Sequence, residues 1–168
     1  MRLLSIADGN VVQDNNILAC PEVHFERVCR MLARQRRGAR FVGGFEANLL
    51  RAWHIKHMAP LGINEIWLAC DTTAAIHALR GAVAMLSELP SLRAVKRPRQ
   101  KLRCYVLIGR GSATIAQAEE RLEAVWGAGC LPFAQLYRDD GGLVQATQPW
   151  LDLARKWSRP AIMAAAHR

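Results

Sequence analysis

The sequence has few of the features that mark membrane or secreted proteins. No hydrophobic run in its 168 residues reaches the roughly 18 residues that a membrane-spanning helix needs. The first eight positions, 1–8, carry too short an apolar stretch for a secretory signal peptide. We therefore expect a globular protein of the cytoplasm that has no membrane partner.

Cysteine is present but forms no local motif. The chain has no CxxC or CxxxCxxC, which excludes a zinc knuckle or a local iron–sulfur loop within it. Cys70 and Cys104 fall inside apolar runs, where cysteine usually behaves as a small hydrophobic residue. We expect all the cysteines to be reduced and mostly structural. They are Cys20, Cys29, Cys70, Cys104 and Cys130.

Acidic residues are scarce beside basic ones. The chain has 23 Lys and Arg against 14 Asp and Glu, a net charge of +9 and a pI of about 10.1. This balance favours polyanionic partners such as RNA or DNA, although the clusters also fit two solvated faces and hold few of the aromatic residues that bind single strands. One cluster is Arg27, Arg30, Arg34, Arg36, Arg37 and Arg40, and the other is Lys96, Arg97, Arg99, Lys101 and Arg103.

Five short apolar runs each end on polar residues or glycine, and an amphipathic stretch follows each run. This alternation predicts an α/β fold with a parallel sheet, either open or curled toward a barrel, in one domain over 1–168. The carboxyl ends of parallel strands lie on one face, so the stops should gather into one site. The predicted strands are 10–14, 40–42, 65–70, 102–108 and 131–137. The stops are Asp14-Asn15-Asn16, Gly43-Gly44, Asp71-Thr72-Thr73, Gly109-Arg110-Gly111 and Arg138-Asp139-Asp140.

The amphipathic stretches predict helices between these strands. Proline and glycine mark several of their ends, and Pro90 is predicted to break the third helix. His54 and His57 share a helix face but have no obvious third ligand, so we expect a packed or surface pair. Trp67, Trp126, Trp150 and Trp157 are expected to be packing residues. The predicted helices are 21–35, 46–58, 72–89, 149–157 and one that follows the turn at 109–112, with Ile115, Ala118, Leu122 and Val125 facing inward.

Several of these segments, in this order, resemble the radical S-adenosylmethionine (SAM) proteins. The resemblance is to a poorly characterised branch that occurs in phage and prophage sequences, and it extends from about Val11 to Ile162. The matching stretches are QDNNILACP at 13–21, GGFEANLLRAWH at 43–54, IWLACDT at 66–72, RCYVLIG at 103–109 and AEERLEAVWGAGCLPFAQLYRD at 118–139.

The resemblance implies a partial TIM-like barrel. In this superfamily six β/α units form the barrel, and a CxxxCxxC loop after the first strand holds a [4Fe-4S] cluster. The cluster binds SAM and supplies the electron that cleaves it to a 5′-deoxyadenosyl radical. The first predicted strand here resembles the second strand of the family, so the resemblance implies an incomplete (β/α)6 barrel of about five units.

The cluster loop is the missing part of the pattern. The resemblance places it upstream of the strand at 10–14, and without it we expect the isolated chain to be inactive. An upstream domain or another chain carrying CxxxCxxC would have to complete the barrel. We also expect self-association through the unpaired edge of this first strand. The alternatives are a module that binds structured nucleic acid and a non-catalytic partner protein.

The resemblance assigns roles to polar residues at the first two strand ends. Asp14 and Asn16 resemble the Asp/Asn group that faces the family's site, and an Asx turn or a helix cap is an equal alternative. Gly43-Gly44-Phe45-Glu46 is similar to the Gly-Gly-Glu motif that binds the SAM amino group, with one extra residue. The alternative that we favour there is a tight turn with Glu46 in the first turn of a helix.

The later strand ends carry further candidates. Asp71-Thr72 is similar to the Glu-Ser pair that lies near the SAM amino acid or ribose, and a helix cap competes with this role. Residues 109–114 occupy the place of a G-x-P-G-[DE]-T turn without its proline and acid, but Gly109 still permits close approach of a ligand. Arg138 ends the last strand, where the family often contacts adenine through its backbone, and is a candidate for binding substrate.

Overall fold

The computed structural model describes residues 6–14, 16–95, 98–142, 146–160 and 163. Asn15 of the first polar stop, Lys96 and Arg97 of the second basic cluster, and most of the tail after Pro160 lie outside this set. The strands are β1 (Val11–Val12), β2 (Ala39–Glu46), β3 (Ile63–Ala69), β4 (Leu102–Ile108) and β5 (Leu131–Leu136). The helices are α1 (Glu22–Ala33), α2 (Ala52–Met58), α3 (Ala75–Ser87), α4 (Pro90–Arg93), α5 (Ile115–Gly127) and α6 (Gln148–Trp157).

The strands form one sheet in the order β1-β2-β3-β4-β5, and each neighbouring pair is parallel. The predicted α/β class with a parallel sheet is therefore confirmed. Strands that follow each other in chain order require every crossover to move in the same direction across the sheet. Right-handed crossovers then put the helices on a single face. We call this the helical face and the other the open face.

The core lies between the sheet and its helices. In β4, Cys104 and Val106 are fully buried, whereas Tyr105 and Leu107, which alternate with them, are only partly buried. This alternation is the period of two expected of a strand with unlike faces. Other fully buried core residues are Phe25, Phe41, Ile66, Leu68, Leu79, Leu86, Leu122, Val125 and Trp157.

The open face carries an aromatic cluster formed by three neighbouring strands. Trp67 of β3 stacks on Tyr105 of β4 with ring centroids 4.2 Å apart. Phe133 of β5 meets Trp67 edge-on at 5.6 Å and Tyr105 at 6.0 Å. These contacts give the open face an apolar centre, and the prediction that Trp67 is a packing residue agrees with them.

The second strand differs most from its prediction. Gly43 and Gly44 do not close it, because β2 continues through both glycines to Glu46. The register with β3 shifts between Phe41 and Phe45, so the glycines form a β-bulge, a device that increases twist and redirects side chains. Glu46 is consequently the last residue of a strand, and its prediction as a first-turn helical residue is wrong, since α2 begins at Ala52.

The remaining differences are shifts of element ends. The first strand is reduced to two residues, and Val11 at this edge of the sheet is 45% exposed. The third helix ends at Ser87, before Pro90, which occupies the first turn of the four-residue α4. Proline is well placed there because its nitrogen needs no partner in a first helical turn. Within the described residues, no helix has the length and hydrophobicity to span a membrane.

Candidate functional site

The strand ends lie along one edge, which we call the carboxyl rim. A hollow of about 380 Å³ opens on this rim toward the open face of the sheet. This volume falls within the range of about 300–1,000 Å³ found for small-molecule sites. Its lining includes Gln13, Gly43, Gly44, Asp71, Tyr105 and Gln135.

The first group of predicted site residues is brought together at one end of this rim. The Asp14 carboxylate accepts a hydrogen bond from the backbone N–H of Asn16 at 3.0 Å, which is the geometry of an Asx turn. The Asn16 amide nitrogen in turn donates to Glu46 Oε2 at 3.0 Å. Asn16 thus contacts two acidic side chains, Asp14 through its backbone N–H and Glu46 through its side-chain amide. The structure contains both the predicted Asx turn and the predicted grouping of these residues.

Asp71 makes a hydrogen bond that supports the sheet, and it also lines the hollow. Its Oδ1 accepts a hydrogen bond from the backbone N–H of Leu107 at 2.9 Å and so extends the β3–β4 pairing beyond the strand end. The Leu107 carbonyl accepts from Arg121 at 3.1 Å. Thr72 supports the alternative role instead, because its Oγ1 accepts from the backbone N–H of Ala75 at 3.3 Å, at the start of α3.

Gly109 lies on a second, smaller hollow of about 270 Å³ at the ends of β4 and β5, whose lining includes Gly111, Tyr137 and Asp139. Gly109 and Gly111 have φ angles of 76° and 61°, a region that residues with a Cβ rarely adopt. The position that a Cβ would take at Gly111 has no atom within 4 Å, so the backbone there is open to a ligand, whereas at Gly109 the Trp150 ring lies 3.6 Å from that position and covers it. Arg138 lies beside this hollow, after the end of β5.

The helix after this turn is capped without the acidic residue of the family pattern. Thr114 Oγ1 accepts from the backbone N–H of Gln117 at 3.2 Å, and the Gln117 side chain accepts from the Thr114 N–H at 3.0 Å. This reciprocal pair is a capping box. Ala113, which stands where the pattern has an acid, is not needed for the cap.

Three polar residues that line the larger hollow were not predicted from the sequence, namely Gln13, Tyr105 and Gln135. Tyr105 lies within a strand that reads as uniformly apolar, and its hydroxyl donates to the Val42 carbonyl at 3.3 Å. The alternation of buried and less buried positions along each strand could have identified them, since the residues on either side of Tyr105 and Gln135 face the helices. Such positions mark the open face once the helical face is known.

The cysteines do not fit an iron–sulfur cluster. Burial raises the pKa of Cys70 to about 11 and that of Cys130 to about 12, and it raises the pKa of Cys104 well above its usual value. Cluster ligands are thiolates, which these environments disfavour. No group of three metal-ligating side chains occurs among the residues that the structure describes.

The two predicted histidines have separate environments. His54 is buried, and its Nδ1 accepts from the backbone N–H of Arg51 at 3.0 Å. It stacks on Trp53 with centroids 3.5 Å apart. His57 instead pairs with Glu22 at 3.0 Å. The expected packed or surface pair is therefore one buried residue and one residue that contacts Glu22.

Comparison with known proteins adds no relative to this description. No protein-family model, curated protein or solved structure matches the chain.

Proposed function

We propose that this chain is the SAM-binding part of a radical SAM-like partial barrel. The observation that supports this most directly is the sheet order, because parallel strands in chain order with helices on one face are the arrangement of a barrel segment. A doubly wound fold reverses its strand order and covers both faces with helices. The open face then corresponds to the inside of the barrel, and the carboxyl rim to its mouth.

The two ends of the rim suit the two ends of SAM. At one end, Glu46 and Asp14 offer carboxylates to the ammonium group of the methionine part. At the other, Gly111 leaves backbone exposed where the flat adenine can approach closely, beside the Trp150 ring that covers Gly109. Asp71 lies between these ends, on the loop after β3, and its carboxylate suits a ribose hydroxyl. These assignments agree with the sequence resemblance at Asp14, Asn16, Glu46 and Asp71.

The [4Fe-4S] cluster does not fit the residues of this chain. Its ligands would have to come from a segment or partner that carries CxxxCxxC. What the residues of this chain offer alone is a binding site that orients SAM and shields one face of it.

Titration calorimetry with SAM and with 5′-methylthioadenosine, which lacks the amino-acid part, tests the proposal. We expect both to bind. Glu46→Gln keeps an oxygen that can accept from Asn16 but removes the charge that pairs with the ammonium group. It should weaken SAM binding about tenfold, which corresponds to ~1.4 kcal/mol, and leave methylthioadenosine binding unchanged.

Glu88→Gln is the matched control. Glu88 is exposed and pairs with Arg93 at 3.7 Å, away from the carboxyl rim. This variant loses the same charge and should bind SAM as the wild type does. If neither ligand produced a heat of binding, the SAM proposal would be overturned. If Glu46→Gln and Glu88→Gln lost the same amount of SAM affinity, the role of Glu46 would be refuted.

A further inference from the structure

The edge of the sheet opposite the candidate site is strongly basic. We call it the amino rim, and it consists of the connections that lead into β2, β3 and β4 together with the first residues of those strands. One basic cluster of the sequence leads from α1 into β2, and the other leads from α4 into β4. In a parallel sheet these connections end on the same edge. Two clusters that are far apart in the sequence therefore meet.

Glu65 shows this meeting directly. It lies near the start of β3, between β2 and β4, and is buried. Its Oε2 is 2.6 Å from Nη2 of Arg40 on one side, and its Oε1 is 2.9 Å from Nε of Arg103 on the other. One carboxylate thus holds two guanidinium groups, one from each cluster.

Part of the second cluster has a structural role. Arg99 donates to the Trp126 carbonyl at 2.9 Å and lies 4.0 Å above its ring. The Lys101 ammonium donates to the carbonyls of Ile63 at 2.6 Å and Ser91 at 3.1 Å. These contacts hold the connection against the sheet.

The first cluster keeps its charge exposed. Arg36 and Arg37 are consecutive, lie in the bend between α1 and β2, and are both exposed. Arg34 beside them is 66% exposed and pairs loosely with Asp8 at 3.5 Å. An exposed pair of this kind contributes little and is easily exchanged for another anion.

We propose that the amino rim binds the phosphate backbone of double-stranded nucleic acid. Arg36 and Arg37 make the contacts. Arg40 and Arg103 lie on the open face at its amino end, held by Glu65, and add positive charge near the rim rather than contacts to phosphate. Arginine suits this partner because its planar fork matches a phosphate group with two hydrogen bonds.

The rim fits a duplex better than a single strand or a membrane. Single strands bind by stacking on exposed aromatic rings, but Arg99 covers Trp126 and Arg103 lies 5.2 Å from the centre of the Trp67 ring. Membrane surfaces require inserted apolar side chains. The only large hydrophobic residue exposed at this edge, among those the structure describes, is Val11.

Fluorescence anisotropy with labelled duplex DNA and duplex RNA over a series of salt concentrations tests the proposal. We expect binding at low salt with an affinity that falls linearly on a log–log plot. The double variant Arg36→Ala/Arg37→Ala should weaken binding about tenfold and reduce the slope by about 2, because each lost phosphate contact removes about 0.9. Arg36→Lys/Arg37→Lys should keep most of the affinity.

The matched control is Arg80→Ala/Arg155→Ala. It removes the same charge from exposed residues in α3 and α6, and should bind duplexes as the wild type does. If both double variants weakened duplex binding equally, the effect would come from net charge alone and the proposal would be overturned. So would flat titrations at low salt, or equally tight binding to phosphatidylserine vesicles. None of these outcomes bears on SAM binding at the other rim.

Discussion

The backbone carbonyl of Asp14 occupies the space in which any residue other than glycine at position 43 would carry its Cβ. The loop after β1 thus lies directly on the bulge of β2. The bulge in turn places Gly44, with a φ of 84°, near the ring of Tyr105 at the hollow. The absence of a side chain at one position sets the spacing of the first two strand ends.

Gly43→Ala should therefore be strongly destabilising. The new Cβ meets main-chain atoms, which cannot rotate away as a side chain would, so we expect a loss of at least about 1–3 kcal/mol in the free energy of unfolding. Urea denaturation followed by circular dichroism measures it. Gly81→Ala is the control, since a Cβ there meets nothing within 4 Å and the residue is inside α3. It should stabilise the protein by about 0.5–1 kcal/mol.

The bulge also shows where sequence patterns reach their limit. Two adjacent glycines favour a turn when only local preference is considered. Here pairing with β3 carries the strand past them, with Phe45 opposite Leu68 and Glu46 opposite Ala69. That pairing joins distant parts of the chain, and a local pattern does not contain it.

Local patterns predict the strands, but they do not predict the contacts of the site residues, because those contacts depend on how the strands pair. The parallel sheet and its carboxyl rim follow from alternating apolar runs, which are local. The pairing of Asn16 with Glu46 and the bonding of Asp71 to Leu107 depend on which strands become neighbours. Glu65 is the clearest case, because a strand that reads as apolar contains a carboxylate whose two partners lie on the strands to either side.

Asp71 should respond differently to two similar substitutions. Asp71→Asn retains an oxygen for the Leu107 N–H, so its unfolding free energy should stay close to that of the wild type. Asp71→Ala removes that acceptor at an exposed site, where water can replace it, and should cost roughly 0.5–1.5 kcal/mol. Urea denaturation of both variants measures the difference. Equal stability of the two would show that the hydrogen bond to Leu107 contributes nothing.

Thr114 should contribute to stability through its cap. Thr114→Ala removes the acceptor for the Gln117 N–H and should lower the free energy of unfolding by about 1 kcal/mol. Thr114→Ser keeps a hydroxyl at the same place and serves as the control, with little change expected. Thermal denaturation compares them. If the serine variant lost as much as the alanine variant, the methyl group rather than the cap would be responsible.

His54 should make stability depend on pH. Burial lowers its pKa from the ordinary value of 6.5, and the hydrogen bond that Nδ1 accepts from the Arg51 N–H favours the neutral ring. The unfolded chain therefore binds a proton more readily than the folded chain, so stability should fall as the pH drops through and below 6.5. The ring lies edge-on to Phe25 with centroids 4.8 Å apart, where a positive charge loses its hydration.

His54→Asn separates this titration from that of the other histidines. Asparagine keeps an acceptor for the Arg51 N–H but does not titrate, so the variant should be less stable at neutral pH because the ring is lost. Its stability should also fall less between about pH 7.5 and pH 5 than that of the wild type. Urea denaturation at several pH values gives both curves. Parallel curves would show that His54 does not cause the pH dependence.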